Sequence, residues 1–341
     1  MTEFLQSPEL APFAEKILEG NIAALSRAIT LAESHLPHHQ EFTAALMEHL
    51  SAQVTLARSF RLGITGVPGV GKSSFIESFG QLMLDHYAAI GEPSKLAVLS
   101  IDPSSQRTKG SILGDKVRME SLARRADVFI RPSPTGGVLG GVARSTRESI
   151  ALCEAAGFSL IFVETVGVGQ SEIAVHSLTD AMLLLLLAGA GDELQGMKRG
   201  IMEMIDFAVI NKADGENKTR ALLAKQMASD ALHYLPKSPS GWAAATHAVS
   251  SLNGEGLSQL LHDLLEFRAF VEKTGWITRN RESQSIAWFR ETAEREWWHH
   301  LESNSRFDAL FKEFETAIAK RNLSPFYAAK LFLRRLKDEL P

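Results

Sequence analysis

The chain has 341 residues, of which 45% are hydrophobic and 22% are charged, as is ordinary for a globular protein with a buried core. Its formal net charge of -4 gives no electrostatic reason to expect a nucleic-acid or anionic-membrane partner, and we expect neither. The single cysteine, Cys153, excludes an internal disulfide and a cysteine metal cage built from one chain. We therefore expect Cys153 to be a buried residue on a packed helix.

Neither a membrane span nor an export signal is expected. The most apolar stretch, Ala181–Leu187, is far shorter than the ~20 residues that a membrane-spanning helix needs, and it indicates a buried strand. The first residues, Met1–Phe4, lack the basic segment and apolar core of a secretory signal. We therefore expect a cytoplasmic protein.

Helices are predicted at the start of the chain. Apolar residues recur at helical spacing over Ile22–Ile29 and again over Phe42–Leu50, and Pro37 marks the break between the two segments. We expect residues 1–58 to form an N-terminal helical extension.

From Arg61 onward, short apolar runs alternate with helical segments. This pattern predicts an α/β domain over residues 59–265, with a mostly parallel sheet flanked by helices. In such sheets ligands bind at the carboxyl ends of the strands, where this chain places chemically useful residues: Gly66, Asp102, Glu164 and Asn211. The apolar runs are Leu62–Ile64, Leu96–Ile101, Val128–Ile130, Leu160–Val163, Met182–Leu187, Phe207–Ile210 and Ala248–Val249.

A glycine-rich segment after the first run matches the phosphate-binding pattern G-x-x-x-x-G-K-[ST]. Its glycines let backbone N–H groups curl around phosphates, Lys72 reaches the β- and γ-phosphates, and the Ser73 hydroxyl is a ligand for Mg²⁺. A following helix, predicted over Ser74–Leu82, adds its positive N-terminal end, which makes this a P-loop NTPase. The expected phosphate contacts are Gly66, Val67, Pro68, Gly69, Val70, Gly71, Lys72, Ser73 and Ser74.

The tetrapeptide N-K-x-D after a later run predicts that the base is guanine. The Asp214 carboxylate accepts hydrogen bonds from N1–H and the 2-amino group, whereas adenine would leave it unpaired. Asn211 fixes the loop and the base edge, and the Lys212 stem packs over the ring. Backbone N–H groups of the segment Ser250, Ser251 and Leu252 are expected at guanine O6.

Two carboxylates after apolar runs, Asp102 and Glu164, are candidates to hold Mg²⁺ beside Ser73. The segment Glu164–Gly167 resembles a GTPase switch in which a glycine N–H senses the γ-phosphate. Val168 stands where Ras-like enzymes place a water-orienting glutamine, so we expect GTP hydrolysis that is slow until a rearrangement or a partner accelerates it. Gln170 is a candidate to substitute in part for that glutamine.

The last part of the chain, residues 266–341, is predicted to be helical and is rich in aromatic residues. Phe307, Leu310, Phe311 and Phe314 are spaced as one helix face, and Ser324 with Pro325 predicts the start of a last helix. The tryptophans of this region are explained equally by local core packing and by a partner interface; they are Trp276, Trp288, Trp297 and Trp298.

Four segments together resemble the MeaB/ArgK family of P-loop GTPases: Asp102–Ser105, Gly110–Lys116, Glu164–Glu172 and Gly191–Gly196. These proteins are G-protein chaperones of adenosylcobalamin-dependent methylmalonyl-CoA mutase. The resemblance implies a homodimer built partly by the C-terminal helices. It also implies an acyl-CoA mutase partner that handles cobalamin, and this chain carries no Asp-x-His-x-x-Gly cobalamin signature.

The resemblance also implies roles for particular residues. Residues matching Ser73, Asp102, Asp115 and Glu164 take part in Mg²⁺ handling and switching, and Asp192–Lys198 resembles a third switch that transmits the nucleotide state. Lys198 is implicated in activated hydrolysis, so the expected catalytic residues are Lys72, Asp115, Gln170 and Lys198. Two departures stand out: Arg199 replaces the second of two lysines, and Gln106 stands where a smaller residue or proline is usual.

Two other classes share the phosphate-binding loop and stay open as alternatives. Metal-delivery GTPases of the nickel type usually display His-rich tails or Cys/His ligand sets, whereas the 11 histidines here are scattered apart from two adjacent pairs. An ATP-dependent small-molecule kinase would have no use for the N-K-x-D segment, and a preference for ATP over GTP would favour it.

Overall fold

The structure is a computed structural model that describes residues 8–52, 59–92, 94–101, 119–132, 139–165, 171–189 and 199–339. The chain divides into two compact units, Met1–Arg279 and Asn280–Pro341. Among the described helices, none combines the length and the apolar character that crossing a membrane requires.

Three helices open the described chain: α1 (Leu10–Leu18), α2 (Ile22–Glu33) and α3 (Pro37–Ser51). The apolar spacing predicted α2 and α3, whereas it did not point to α1. The side chain of Asn21 caps α2 by accepting a hydrogen bond of 3.0 Å from the backbone N–H of Ala24. Buried residues of these helices, including Leu25 and Leu46, belong to the same hydrophobic cluster as one face of the sheet. The N-terminal helices are therefore part of the first unit.

Seven parallel strands form one sheet in the order β3-β2-β4-β1-β5-β6-β7. Each predicted apolar run lies within or beside a strand, which confirms the α/β class. The strands are β1 (Phe60–Gly66), β2 (Leu96–Ile101), β3 (Val128–Arg131), β4 (Leu160–Thr165), β5 (Ala181–Leu187), β6 (Phe207–Asn211) and β7 (Ala245–Ala248).

The last strand differs from its prediction. The apolar pair Ala248–Val249 suggested its position, but β7 lies earlier, because residues Ala245–Ala248 pair with Phe207–Ile210. This edge strand carries the polar residues Thr246 and His247, so it shows no continuous apolar run.

Helices cover both faces of the sheet. Along β2, Leu96 and Val98 join one hydrophobic cluster while Ala97 and Leu99 join the other, as the alternation of a pleated strand requires. The helices of the first unit after α3 are α4 (Lys72–Ala89), α5 (Glu120–Ala123), α6 (Leu139–Ala155), α7 (Ser171–His176), α8 (Arg199–Met202), α9 (Lys218–His233) and α10 (Leu257–Lys273). Cys153 is buried on α6 as predicted, and burial raises the pKa of its thiol.

The second unit is helical and has a small aromatic core of its own. It contains most of α11 (Trp276–Ser303), with α12 (Ser305–Ala319) and α13 (Pro325–Glu339). The predicted α12 face is confirmed, since Phe307, Leu310 and Phe314 are buried together with Phe332 of α13. Two neighbouring tryptophans of this unit are both exposed in part. Trp298 packs edge-on against Phe307 with the ring centroids 5.8 Å apart and is still 42% exposed, and Trp297 is 60% exposed.

Candidate functional site

The glycine-rich loop connects the end of β1 to the start of α4, at the carboxyl edge of the sheet. Gly66 has φ 153°, and a Cβ there would lie 2.5 Å from the carbonyl oxygen of Leu185 on β5. Gly71 has φ 93°, and a Cβ there would lie 2.8 Å from Nδ2 of Asn211. Both positions therefore need glycine, because the loop passes close to β5 at Gly66 and close to the Asn211 side chain at Gly71.

The Lys72 side chain folds back over this loop. Its ammonium donates to the carbonyl oxygens of Gly66 at 2.7 Å and Val67 at 3.2 Å. Burial lowers the pKa of Lys72, and the negative charges of Glu164 and Glu172 oppose that shift. The cation is thus held at the mouth of the loop, at the predicted phosphate position.

Asn211 joins the glycine-rich loop to the loop after β7. Its Nδ2 donates to the carbonyl oxygen of Val70 at 2.9 Å. Its Oδ1 accepts hydrogen bonds from the backbone N–H of Ser251 at 3.3 Å and from the hydroxyl of Ser251 at 2.7 Å. The residue is 1% exposed, so one buried amide orders both loops.

Lys212 lies over the outside of the glycine-rich loop. It has a positive φ of 60°, and its Nζ donates to the carbonyl oxygen of Gly69 at 2.9 Å. Its own carbonyl oxygen accepts a hydrogen bond from the Asn217 side chain at 2.7 Å. The exposed stem of Lys212 therefore crosses from the end of β6 to the glycine-rich loop.

Asp214 faces the loop after β7. The Ser250 hydroxyl donates to Asp214 Oδ2 at 2.5 Å and accepts from the backbone N–H groups of Leu252 and Asn253, both at 3.2 Å. The structure thus brings together the two segments that the sequence assigned to guanine. The Leu252 side chain in this loop is 88% exposed.

Two residues that the sequence reasoning missed hold this loop in place. Ser78 on α4 donates to the carbonyl oxygen of Ser251 at 2.6 Å. Gly256 has φ 80°, and a Cβ there would lie 2.3 Å from the carbonyl oxygen of Ala248. The tight turn could have been predicted from the sequence, because Gly256 stands just before a helix. The Ser78 contact could not, because it depends on how α4 packs.

Glu164, the second-to-last residue of β4, is a buried carboxylate, 3% exposed, beside Ser100 of β2, whose hydroxyl donates to Glu164 Oε1 at 2.6 Å. Ser73 is the second residue of α4, and its hydroxyl makes no hydrogen bond within the described part of the chain. A carboxylate and a free hydroxyl are oxygen donors of the kind that Mg²⁺ prefers. The described residues therefore fit this ion.

The other predicted site residues lie outside the described residues: Asp102, Asp115, Gln170 and Lys198. The structure adds one carboxylate that the sequence reasoning quoted without a role. Glu172 at the start of α7 is 2% exposed, and its charge acts on Lys72. No periodic pattern pointed to it, because its position depends on a short helix after the switch segment.

Comparisons with known proteins agree over most of the chain. The family model described as "Methylmalonyl Co-A mutase-associated GTPase MeaB" matches residues 25–306. "GTPase ArgK" of Escherichia coli (strain K12) is 41% identical over 316 residues, which are 93% of this chain and 93% of that protein. "Methylmalonic aciduria type A homolog, mitochondrial" of Mus musculus is 37% identical over 330 residues, 94% of this chain and 78% of that protein.

A solved structure is similar as well. The crystal structure titled "LAO/AO transport system kinase" superposes with a TM-score of 0.74 at 34% sequence identity. The match covers 96% of this chain and 97% of that one. Both the sequence and the fold therefore match known proteins over nearly the whole chain.

Proposed function

This chain belongs to the MeaB family of GTPases, and on that premise we propose that it is a GTP-driven chaperone of an adenosylcobalamin-dependent methylmalonyl-CoA mutase. In this proposal the GTP and GDP states present different surfaces to the mutase, which gates cofactor loading or protects the enzyme. The observation that carries the nucleotide part is the network through Asn211, which joins the glycine-rich loop to the segment facing Asp214.

The base is proposed to be guanine because the Asp214 carboxylate has two oxygens for the two donors on the guanine edge. The Ser250 hydroxyl orients that carboxylate. The backbone N–H groups of Ser251 and Leu252 are proposed to face guanine O6. In the described structure these groups bond to Asn211 and Ser250, so binding would require a small rotation of the loop.

On the phosphate side, Mg²⁺ would be held by Ser73 and Glu164, with Asp102 and Asp115 as the further ligands that the family resemblance implies. The ion supplies positive charge that offsets the phosphate charge during hydrolysis. Lys72 would leave the carbonyl oxygens of Gly66 and Val67, its partners here, to bind the β- and γ-phosphates. Its cost of burial would then be offset by phosphate instead of by the backbone.

Hydrolysis is proposed to be slow until the partner engages. Val168 cannot orient water as a glutamine does, and Gln170 and Lys198 are the proposed groups that act once the switch segments rearrange. The segment Asp192–Lys198 is proposed to report the nucleotide state to the mutase. Cobalamin would bind to the mutase and not to this chain.

Residues 266–341 are proposed to contribute to a homodimer, with 1–58 as the N-terminal extension and 59–265 as the GTPase domain. The exposed aromatic residues of α11, Phe289 at 71% and Trp297 at 60%, are apolar surface of the kind that interfaces bury. Light scattering should give twice the mass of one chain. A Trp297→Ser variant that stays a dimer would remove this residue from the interface.

The proposed function is tested by measuring GTP turnover with and without purified methylmalonyl-CoA mutase. We expect the mutase to accelerate hydrolysis by the natural protein, and Lys198→Ala to bind GTP normally yet lose the acceleration. Lys237→Ala is the matched control, because it removes an exposed lysine outside the switch segments and should leave the acceleration unchanged. If turnover does not respond to the mutase, the coupling between nucleotide and partner is wrong.

A further inference from the structure

A group of metal-binding side chains lies on α10, outside the nucleotide site. His262, Asp263 and Glu266 each offer one ligand atom, and these atoms all lie within 4.8 Å of one another. His262 Nε2 is 3.5 Å from Glu266 Oε1, one helical turn away. Such clusters are common on exposed helices, so the group needs independent support.

That support comes from His247 on the neighbouring strand β7. The side chain is 7% exposed, and its Nε2 lies 3.2 Å from Asp263 Oδ2. This contact does not have hydrogen-bond geometry, and Nε2 has no hydrogen-bond partner among the residues that the structure describes. A buried imidazole nitrogen left in this way is unfavourable. It points at the Asp263 carboxylate of the cluster.

Asp263 is itself held in place. Gln259, one turn earlier on α10, donates from Nε2 to Asp263 Oδ1 at 2.8 Å. The other oxygen, Oδ2, is left facing His247. Carboxylate ligands of metals are typically fixed by such an outer hydrogen bond.

We propose that His247, His262, Asp263 and Glu266 together bind one divalent transition-metal ion, for which Zn²⁺ is the best match. Two imidazole nitrogens and two carboxylate oxygens are a ligand set for zinc or a neighbouring transition metal and not for Mg²⁺ or Ca²⁺. The three side chains from the helix already form a group. His247 lies beside Asp263 but outside that group, so its imidazole would shift to complete a four-coordinate site.

The charges around His247 agree with this proposal. Burial lowers the pKa of His247, Asp263 opposes that shift, and the Lys225 ammonium of α9 adds to it. The neutral imidazole is the form that binds metals. Bringing a cation near Lys225 costs some repulsion, which the two carboxylates of the site offset.

The position of the site suggests what the ion would do. His247 precedes the loop that contains Ser250 and Ser251, and α10 begins directly after that loop. An ion bound to both elements would cross-link the two ends of the loop. The site does not depend on the proposed function, since a chain that binds no mutase could still carry it.

The test is a Zn²⁺ titration of the full metal-free chain against a chromophoric chelator. We expect one ion per chain, bound at least about ten-fold more weakly by His262→Ala and by Glu266→Gln. Both side chains are exposed, at 64% and 61%, so neither change should affect folding. His233→Ala is the matched control, because it removes another exposed helical histidine and should leave the affinity unchanged.

The buried ligand is tested with His247→Gln, whose Zn²⁺ affinity should fall by a similar factor while GDP binding shows that the chain is folded. If this variant fails to fold, the two surface variants still decide. The proposal is overturned if no equivalent of Zn²⁺ binds, or if His262→Ala and Glu266→Gln bind it as tightly as His233→Ala does.

Discussion

The Asp214 carboxylate is the group proposed to select guanine over other bases. Its Oδ2 is already held by the Ser250 hydroxyl at 2.5 Å, so the group is positioned before the nucleotide arrives. Such preorganisation matters because a carboxylate that must be ordered during binding costs affinity. A change at Asp214 should therefore alter selectivity without altering the fold.

We predict that Asp214→Asn weakens GDP binding by about 10- to 100-fold, since an amide offers only one acceptor to two guanine donors. The same variant should gain affinity for xanthosine diphosphate, whose 2-oxo group accepts from the new amide N–H. Fluorescence competition with both nucleotides measures this. Glu216→Gln, an exposed neighbour, is the control, and an unchanged preference for guanine in Asp214→Asn would contradict the assignment.

A second carboxylate, Asp206, makes stability depend on pH. Burial raises its pKa to about 7, and hydrogen bonds from the Met182 N–H and from the hydroxyls of Ser238 and Ser240 oppose the shift. Between the unfolded value of 3.8 and about 7, the folded chain keeps a proton that the unfolded chain has lost. The stability contributed by this group is therefore lost as pH rises through that window.

We expect the free energy of unfolding of the natural protein, relative to Asp206→Asn, to fall by up to about 1.4 kcal/mol per pH unit in that window. The difference should level off above a pH of about 7. Denaturant unfolding of both proteins across this range measures it. Curves that run parallel would show that Asp206 is ionised in the folded chain.

Sequence alone predicted which residues stand at this site but not how they bond to one another. The N-K-x-D spacing identified Asn211 and Asp214, and their roles toward the base stay predictions. The bonds from Ser251 to Asn211 and from Ser250 to Asp214 were not predicted. These contacts join segments that meet only because β6 pairs with β7. The spacing of residues along the chain does not predict which strands pair.

At the scale of elements, the turn from β1 into α4 is shaped by two close approaches. A side chain at Gly66 would clash with the backbone of β5, and one at Gly71 would clash with the Asn211 side-chain amide. Moving either neighbour would be unfavourable, because the first is strand backbone and the second is a buried amide that makes several hydrogen bonds. The turn from β1 into α4 and the segment that begins at Asn211 are therefore packed tightly against each other.

We predict that Gly71→Ala lowers the free energy of unfolding by about 1–3 kcal/mol more than Gly69→Ala does. Both glycines have positive φ, at 93° and 79°, so both variants carry backbone strain. A Cβ at Gly69 meets no atom within 4 Å, and the comparison isolates the clash with Asn211. Denaturant unfolding without nucleotide measures it, and equal losses would place the cost in backbone strain alone.

The elements themselves were largely predictable because their signals are local. Continuous apolar runs marked β2, β5 and β6, whose residues are buried on both faces of the sheet. The edge strand β7 was placed too late, since an edge strand needs fewer apolar residues. Helix α4 runs well past the predicted end at Leu82, to Ala89, because the residues that extend it are partly polar.

At the scale of the whole molecule, the sheet and its two helical layers form a unit distinct from the aromatic helices of the C-terminal unit. The sequence predicted a change of character near the end of the chain. It left the role of the tryptophans open between core packing and an interface. Trp298 contacts Phe307 and is still 42% exposed, and Trp297 is 60% exposed. Aromatic content alone does not separate a small core from an interface.

We propose that the nucleotide in this site controls the interaction with methylmalonyl-CoA mutase. The most direct measurement is the affinity of the purified full chain for purified mutase, loaded in turn with GDP and with a non-hydrolysable GTP analogue. We predict at least about a five-fold difference between the two dissociation constants, which is the lower end of a typical coupling free energy. Equal affinities would contradict it, because a partner that binds both states equally cannot read the nucleotide.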